Sequence, residues 1–323
     1  MANTFLKADK IAATALGVLE REIVLPALVW RNAGGNFQGA FGDTISLRVP
    51  ARTTARSRQL RGARPTEGDN PANAPAGIIT MDSLTETKVD VTLDEEVYNA
   101  IPITDEELTL DIVDFGPQVL QPQVRAVAEG LENKLAEEMT GASYATVLTL
   151  EEDQDPYEVF IDARKALNVA NVPMNDRIAV VGAELEARIL KSEHLSHADK
   201  SGDNTALRDA EIGRYAGLPR IYTSNALPED VGFVFHRTAY VMSLQAPVVP
   251  AGVTYGSSQS FESLAMRWIR DYDFRNVQDR SLVGTYVGTN IVADGPEVEG
   301  DPTFVRAVKI ELAESSSAAS SSS

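Results

Sequence analysis

Apolar side chains recur every third or fourth position in some stretches of this chain and every second position in others, and the two periods predict helices and strands respectively. The clearest helical stripe is Leu120, Val124, Val127, Leu131, Leu135 and Met139, with Arg125, Glu129, Glu132, Lys134 and Glu138 largely off it. Proline suits a first helical turn and kinks an interior one, so this helix starts at Pro117 or restarts at Pro122, and Gly141 stops it. From Pro122 to Met139 it runs roughly 27 Å, long enough to brace a domain. A second stripe, with Ile11, Ala15, Val18 (or Leu19) and Ile23, crosses residues 2–30. It is short for an independent unit and needs a partner surface.

Strict alternation marks residues 44–49 and 88–94 as half-buried strands that pair with each other. A Gly-rich connector at 31–42 precedes them. Almost forty residues separate them, holding Pro65, Pro71, Pro75, Gly62, Gly68 and Gly77 and few large apolar groups. Loops of that length without a core are usually functional or disordered. Two paired strands with such an insertion make an arm; a dozen paired residues reach roughly 40 Å. A lone two-stranded arm is barely stable in water, so something else must hold it.

After 101–103, Thr104-Asp105-Glu106-Glu107 reads as a capping box that opens a short helix. From 156 to 250, helix and strand alternate as in a mixed α/β domain. Helices are expected at 157–169, 184–191 and 206–215, and strands at 178–181, 218–222, 231–235 and 239–244, with a polar loop at 194–204. Further strands are expected at 264–269, 281–287, 290–292 and 304–312. Residues 315–323 are all Ser or Ala, which predicts a solvated tail.

Composition narrows the function. The 323 residues carry 29 Lys plus Arg against 47 Asp plus Glu, a net charge of −18, and no cysteine. Those numbers exclude a disulfide scaffold, a thiol nucleophile, a Cys-ligated metal and a globally basic nucleic-acid binder. The length suits two domains, and 43% apolar content suffices for a sizeable core. The densest apolar run, 23–30, is eight residues long and contains Pro26, whereas a membrane-spanning helix needs about 20. No membrane segment or leader is expected, and the chain is expected to be made and kept in a cytoplasm.

Candidate chemistry is sparse. His194 and His197, near Glu193 and Asp199, have a spacing that suits two metal ligands on one helix face. No Glu follows the first His as a zincin requires, and a solvated loop is the preferred reading. His236 reads as structural. The acidic run 151–155 lacks the Gly and the distant Glu of a calcium loop; Asp155 before Pro156 reads as a helix N-cap. Asp271, Asp273 and Asp279 alternate with Arg270, Arg275 and Arg280, which suggests ion pairing at an interface. Phosphate-loop, dinucleotide and nucleophile-elbow motifs are lacking, so neither an enzyme nor a cofactor is expected. The strongest electrostatic signal is in the arm. No acidic residue occurs from Thr44 to Thr66, while Arg48, Arg52, Arg56, Arg58, Arg61 and Arg64 do. Arg favours bidentate pairing with carboxylate or phosphate. Docking on acidic surface of another copy is preferred over nucleic-acid binding, because the rest of the chain repels a polyanion; a merely solvated loop is the remaining reading.

In this order the pieces resemble the major capsid proteins of tailed double-stranded DNA bacteriophages with the Hong Kong 97 (HK97) fold. The resemblance rests on the paired segments opening at Phe41-Gly42-Asp43-Thr44-Ile45 and returning through Val89-Asp90-Val91, the helix ending Leu131-Glu132-Asn133-Lys134-Leu135, and the run 217–228 with Gly217, Pro219 and Ser224. His236-Arg237-Thr238-Ala239-Tyr240-Val241, Arg270-Asp271-Tyr272-Asp273 and Gly284-Thr285-Tyr286-Val287-Gly288 add to it. It implies an α+β fold: an N-terminal arm (1–42), an extended β-hairpin loop (43–100), a peripheral domain with a long spine helix (101–150), an α/β axial domain (151–260), peripheral return strands (261–314) and a Ser-rich tail (315–323). The implied function is a coat that self-assembles through pentamers and hexamers into an icosahedral head, with the arm lying across an adjacent subunit. Implied partners are further copies, a scaffolding protein, a portal with its packaging terminase, a decoration or cement protein, and packaged DNA bound without sequence specificity. The implied location is the virion, after synthesis in the host bacterial cytoplasm. The type member crosslinks through a lysine of the extended loop, but no lysine lies between Lys10 and Lys88 here, so noncovalent Arg pairing is expected instead. The chain also lacks a long N-terminal scaffolding domain, so scaffold is expected as a separate protein. Alternatives are an encapsulin-type compartment and, in a different class, a metal-dependent hydrolase using His194 and His197.

Overall fold

A computed structural model describes residues 24–31, 44–49, 55, 81, 87–111, 115–192, 214–253, 255–261, 264–294 and 303–313. In chain order its elements are helix α1 (Leu25–Leu28), strands β1 (Trp30–Arg31), β2 (Thr44–Val49), β3 (Thr87–Thr92) and β4 (Glu95–Thr104), two π-helical turns (Glu107–Asp111 and Gly116–Leu120), helix α2 (Gln121–Gly141), β5 (Val147–Leu150), α3 (Pro156–Val169), β6 (Arg177–Val181), α4 (Ala183–Lys191), β7 (Ile221–Thr223), β8 (Val231–His236), β9 (Tyr240–Gln245), β10 (Tyr255–Phe261), β11 (Leu264–Asp273), β12 (Gln278–Ile291) and β13 (Ala307–Leu312).

The expected long helix is α2, and its whole apolar stripe, Leu120 through Met139, is buried. It lies on a six-stranded sheet in which the 14-residue β12 is central. Tyr286 pairs with Glu96 of β4 and also with Gln245 of β9, while Gly284 pairs with Tyr98 of β4 and Arg267 of β11. A strand has two edges, so β9 and β11 follow one another along one edge and β4 occupies the other. Residues 281–287 and 290–292, expected as separate strands, form one continuous strand to Ile291. Sequence reasoning missed β4 because Glu95, Glu96 and Pro102 depress strand propensity. As an edge strand it tolerates them: among the described residues it pairs only with β12.

The second sheet has the order β5-β13-β8-β6-β7. Its side chains alternate between two cores, as strand geometry requires. Ala179, Val181, Val234, Val308 and Ile310 meet Val159, Phe160, Ala163 and Leu167 of α3 and Leu185 and Ile189 of α4. The opposite face, with Val180, Phe233, Phe235 and Ala307, joins the core of α2 and the six-stranded sheet. Tyr144, Phe233, Phe235, Tyr240 and Phe304 stack at that junction with centroids 5.2 to 5.6 Å apart.

Local predictions from capping chemistry hold. Glu107 Oε2 accepts from the Thr104 N–H and hydroxyl at 2.9 and 3.0 Å, and the Glu107 N–H returns to Thr104 Oγ1 at 3.3 Å. Asp155 Oδ1 accepts from the Tyr157 N–H at 2.9 Å ahead of α3, with Pro156 in its first turn. Other expectations change. Trp30, read as the end of a helix, and Arg31, read as the start of the Gly-rich connector, instead pair in parallel with Val241 and Met242. Strand β9 and all of β10 but Phe261 fall within 151–260 yet belong to the six-stranded sheet, and β13 falls within 261–314 yet belongs to the five-stranded one. The chain crosses between sheets after β8 and again before β13, so a linear boundary at 260 does not follow the pairing. Arg214 and Tyr215, expected to end a helix, are non-helical, and Tyr215 bridges Leu218. The rest of the 206–215 prediction, most of residues 2–30 and the tail lie outside the described residues.

Candidate assembly surface

The root of the predicted arm is where β2 and β3 pair antiparallel, with Thr44 opposite Thr92 and Val49 opposite Thr87. One face of this hairpin is apolar: Val49, Val89 and Val91 are buried with Val241 of β9 and Val292 beyond β12, and Trp30 and Leu47 pack against them. Asn290 Nδ2 donates to the Asp90 carbonyl at 2.7 Å. At Gly288 the approach is closer still, since a Cβ there would lie 2.1 Å from the Thr92 carbonyl oxygen. A glycine is required for β3 to pass β12 at that separation.

The other face of the hairpin is polar and open. Ser46 donates to Asp90, and Lys88 Nζ reaches Asp90 Oδ2 at 3.0 Å. These bonds, the Ser46 hydroxyl first, hold the Asp90 carboxyl below its ordinary range. Arg48 stands directly opposite Lys88 and is exposed. Like charges facing across a strand pair are unfavourable, and Arg48 makes no ion pair with any described residue. The hairpin root thus presents cationic charge that its own described surroundings leave unneutralised. Arg52, Arg56, Arg58, Arg61 and Arg64 lie outside the described residues.

Asp271, Asp273 and Asp279 of the β11–β12 hairpin pair within the chain with Arg270 and Arg280, where an interface pairing was expected. Arg270 Nε meets Asp279 Oδ2 at 3.0 Å, and Arg280 approaches Asp271 at 3.5 Å and Asp273 at 3.7 Å. At the hairpin tip Phe274 is 87% exposed, with the edge-on ring of Tyr272 against it.

One polar group that sequence reasoning missed lies under this sheet. Gln123 sits on the buried side of α2, where its amide donates to the carbonyls of Ser281 (3.0 Å) and Asn99 (3.3 Å) and accepts from Ser281 Oγ (2.7 Å). Trp268 Nε1 donates to the same Ser281 oxygen at 3.1 Å. These bonds lock the helix to β12 and β4 in a single register; the only sequence signal was a Gln adjoining the apolar stripe. His236 is structural, as expected: its Nδ1 accepts from the Thr238 N–H at 3.3 Å and lies 2.9 Å from Thr238 Oγ1. Burial, with the Arg306 charge second, lowers its pKa. His194 and His197 lie outside the described residues, and among the described residues no three His, Asp or Glu cluster as a metal site. No described helix is long and apolar enough to cross a membrane.

No family model and no curated protein matches the chain by sequence. Solved structures do. One from Mycobacterium phage Che8 is 21% identical, with a TM-score of 0.61 over 89% of this chain and 90% of that one. The capsid structure of the cyanophage P-SCSP1u is 12% identical, with a TM-score of 0.58 over 98% and 91%. A virus-like particle from Pyrococcus furiosus is 12% identical, with a TM-score of 0.50 over 94% and 98%. The likeness extends over most of each chain in both directions: this chain has the α+β fold of viral capsid and virus-like-particle proteins.

Proposed function

We propose that the chain is the major coat subunit of a tailed bacteriophage, self-assembling into the icosahedral head that encloses double-stranded DNA. The observation that carries this reading is the full-length match to a phage capsid. A hairpin root with unneutralised cationic charge on a strongly acidic chain supports it, because such a root is suited to lodging on a neighbour's acidic surface. In this reading residues 1–42 are the N-terminal arm and 43–100 the extended loop. Helix α2 is the spine of the peripheral domain, and the five-stranded sheet with α3 and α4 is the axial domain. Arg48, Arg52, Arg56, Arg58, Arg61 and Arg64 dock on an adjacent subunit. The working partners are other copies in pentamers and hexamers, a separate scaffolding protein, a portal and a cement protein. The coat subunit is made in the host cytoplasm and resides in the virion. The net charge of −18 fits a container wall that holds DNA without gripping it.

Sedimentation and electron microscopy of the expressed chain with its scaffold test this directly. Closed shells or capsomer-sized oligomers are expected, and a chain that stays monomeric under all conditions contradicts the reading. Changing Arg56, Arg58 and Arg61 together to Glu is expected to leave folded subunits that fail to close shells. The likeness to a virus-like particle supports a second reading, a genome-free compartment of the encapsulin kind, at a lower TM-score. Particles that copurify with an enzyme cargo instead of double-stranded DNA would favour it.

A further inference from the structure

Two patches of opposite charge, both without an ion pair among the described residues, sit at opposite corners of the five-stranded sheet. Strands β5, β13, β6 and β7 run parallel and β8 runs against them. At the β6–β7 side, by the N-terminal ends of those strands, a groove of about 620 Å³ is lined by Arg177, Arg214 and Arg237, with Leu28, Met174 and one carboxylate, Asp176, beside them. Arg214 and Arg237 are exposed, and none of the three arginines forms an ion pair with a described residue. Arg177 is buried: its Nε donates to the Pro173 carbonyl at 2.8 Å and its Nη2 to that of Val172 at 2.6 Å, and no carboxylate among the described residues neutralises it. Met174 beside it is 67% exposed.

At the opposite edge and the opposite end, the acidic turn Glu151-Glu152-Asp153 follows β5. It is a shaped element: the Gln154 N–H closes it on the Glu151 carbonyl at 3.2 Å, and Arg188 Nη2 donates to the carbonyls of Glu151, at 3.2 Å, and Glu152. Arg188 binds the backbone of the turn, and Glu151, Glu152 and Asp153 are exposed, with no ion pair from their carboxylates to a described residue.

Patches at opposite corners of one sheet cannot meet within one chain. We propose that the Arg177/Arg214/Arg237 groove receives the Glu151-Glu152-Asp153 turn of a neighbouring copy, a head-to-tail contact that rests on the self-assembly reading above and supplies its ring-forming interface. A heterologous contact of this kind closes into rings when its rotation permits and otherwise runs on as filament. The charge pairing sets register and association rate, while apolar Met174 and Leu28 provide contact area at the rim. Because the charges are exposed at the moment of encounter, the contact weakens with added salt.

A charge exchange tests it on the full-length chain. Arg214→Glu with Arg237→Glu, and separately Glu151→Lys, Glu152→Lys and Asp153→Lys together, are each expected to raise the protein concentration needed for assembly by about tenfold or more. Combining both sets restores assembly toward wild type. Circular dichroism and melting temperature, unchanged in every variant, show that the subunits fold. Wild-type shells together with unaffected variants, or a combined variant that does not recover, overturn the contact and leave the coat reading standing. A wild-type chain that never assembles overturns both. Variant shells that form normally but lose retained DNA assign the groove to phosphate and overturn the contact.

Discussion

The five-stranded sheet and the β2–β3 hairpin are made of similar strand-forming residues, yet they stand in opposite relations to their own chain. The sheet is covered on both faces: Val231 to Phe235 of β8 are all buried, one side under α3 and α4 and the other in the core of α2. The hairpin buries one face only, in a cluster of five valines, and leaves Arg48 and Lys88 opposed on the other. The sheet carries its own stability, whereas the hairpin root is docked by a small core and one amide bond and gains the rest from what covers its polar face. A shell subunit needs both kinds of element: a body that folds before assembly and a limb completed by it.

Truncation inside the sheet should produce the largest effect. Phe235→Ala removes a fully buried ring from the junction of the two sheets and is expected to cost about 3–5 kcal/mol in denaturant unfolding. Gly288→Val attacks the hairpin instead, because its side chain must displace the Thr92 carbonyl. A penalty of about 1–3 kcal/mol is expected, read as faster amide exchange at residues 87–92 while the melting of the body changes little. If Gly288→Val melts the whole subunit, the hairpin is part of the body and the contrast between them fails. Asp155→Ala, which removes the cap of α3, is expected to cost about 1 kcal/mol, all of it in the body.

The smallest effect is a pH dependence located at the joint between the sheets. His236 faces Arg306 and Arg177, which oppose its protonation, and Asp176 and Asp294, which favour it less strongly, and burial adds the largest lowering. Its folded pKa therefore lies below the ordinary 6.5. The unfolded chain takes up the proton first as pH falls through that value, so stability declines below about pH 6.5 and levels off once the folded imidazole is also charged. Melting temperatures measured from pH 7.5 to 5 should show that decline in the wild type, and His236→Gln should flatten it.

Legibility in the sequence followed the source of each element's stability. Helix α2, the capping box at Thr104 and Glu107, the Asp155 cap and the pairing of β2 with β3 were all readable, because each is specified by local period or local hydrogen bonding. Strand β4 was not, since its glutamates and Pro102 are tolerated only at the edge of β12, a partner nearly two hundred residues away. The continuity of β12 through Gly288 was obscured for a similar reason: the glycine that weakens a strand in isolation is what lets β3 approach. Strand periodicity also carries no information about which sheet a strand joins, so β9 and β13 exchanged places relative to a linear division. At the candidate surface, the cationic character of Arg48 was legible, while the Gln123 network and the groove at Arg177 depend on three-dimensional neighbours alone.

A reconstruction of the assembled particle at a resolution that traces the backbone tests the central claim most directly. The account predicts that the segment joining Val49 to Thr87 leaves its own subunit and lies on the adjacent one, with its arginines against carboxylates there. A segment folded against its own subunit in every copy, touching no neighbour, would contradict it.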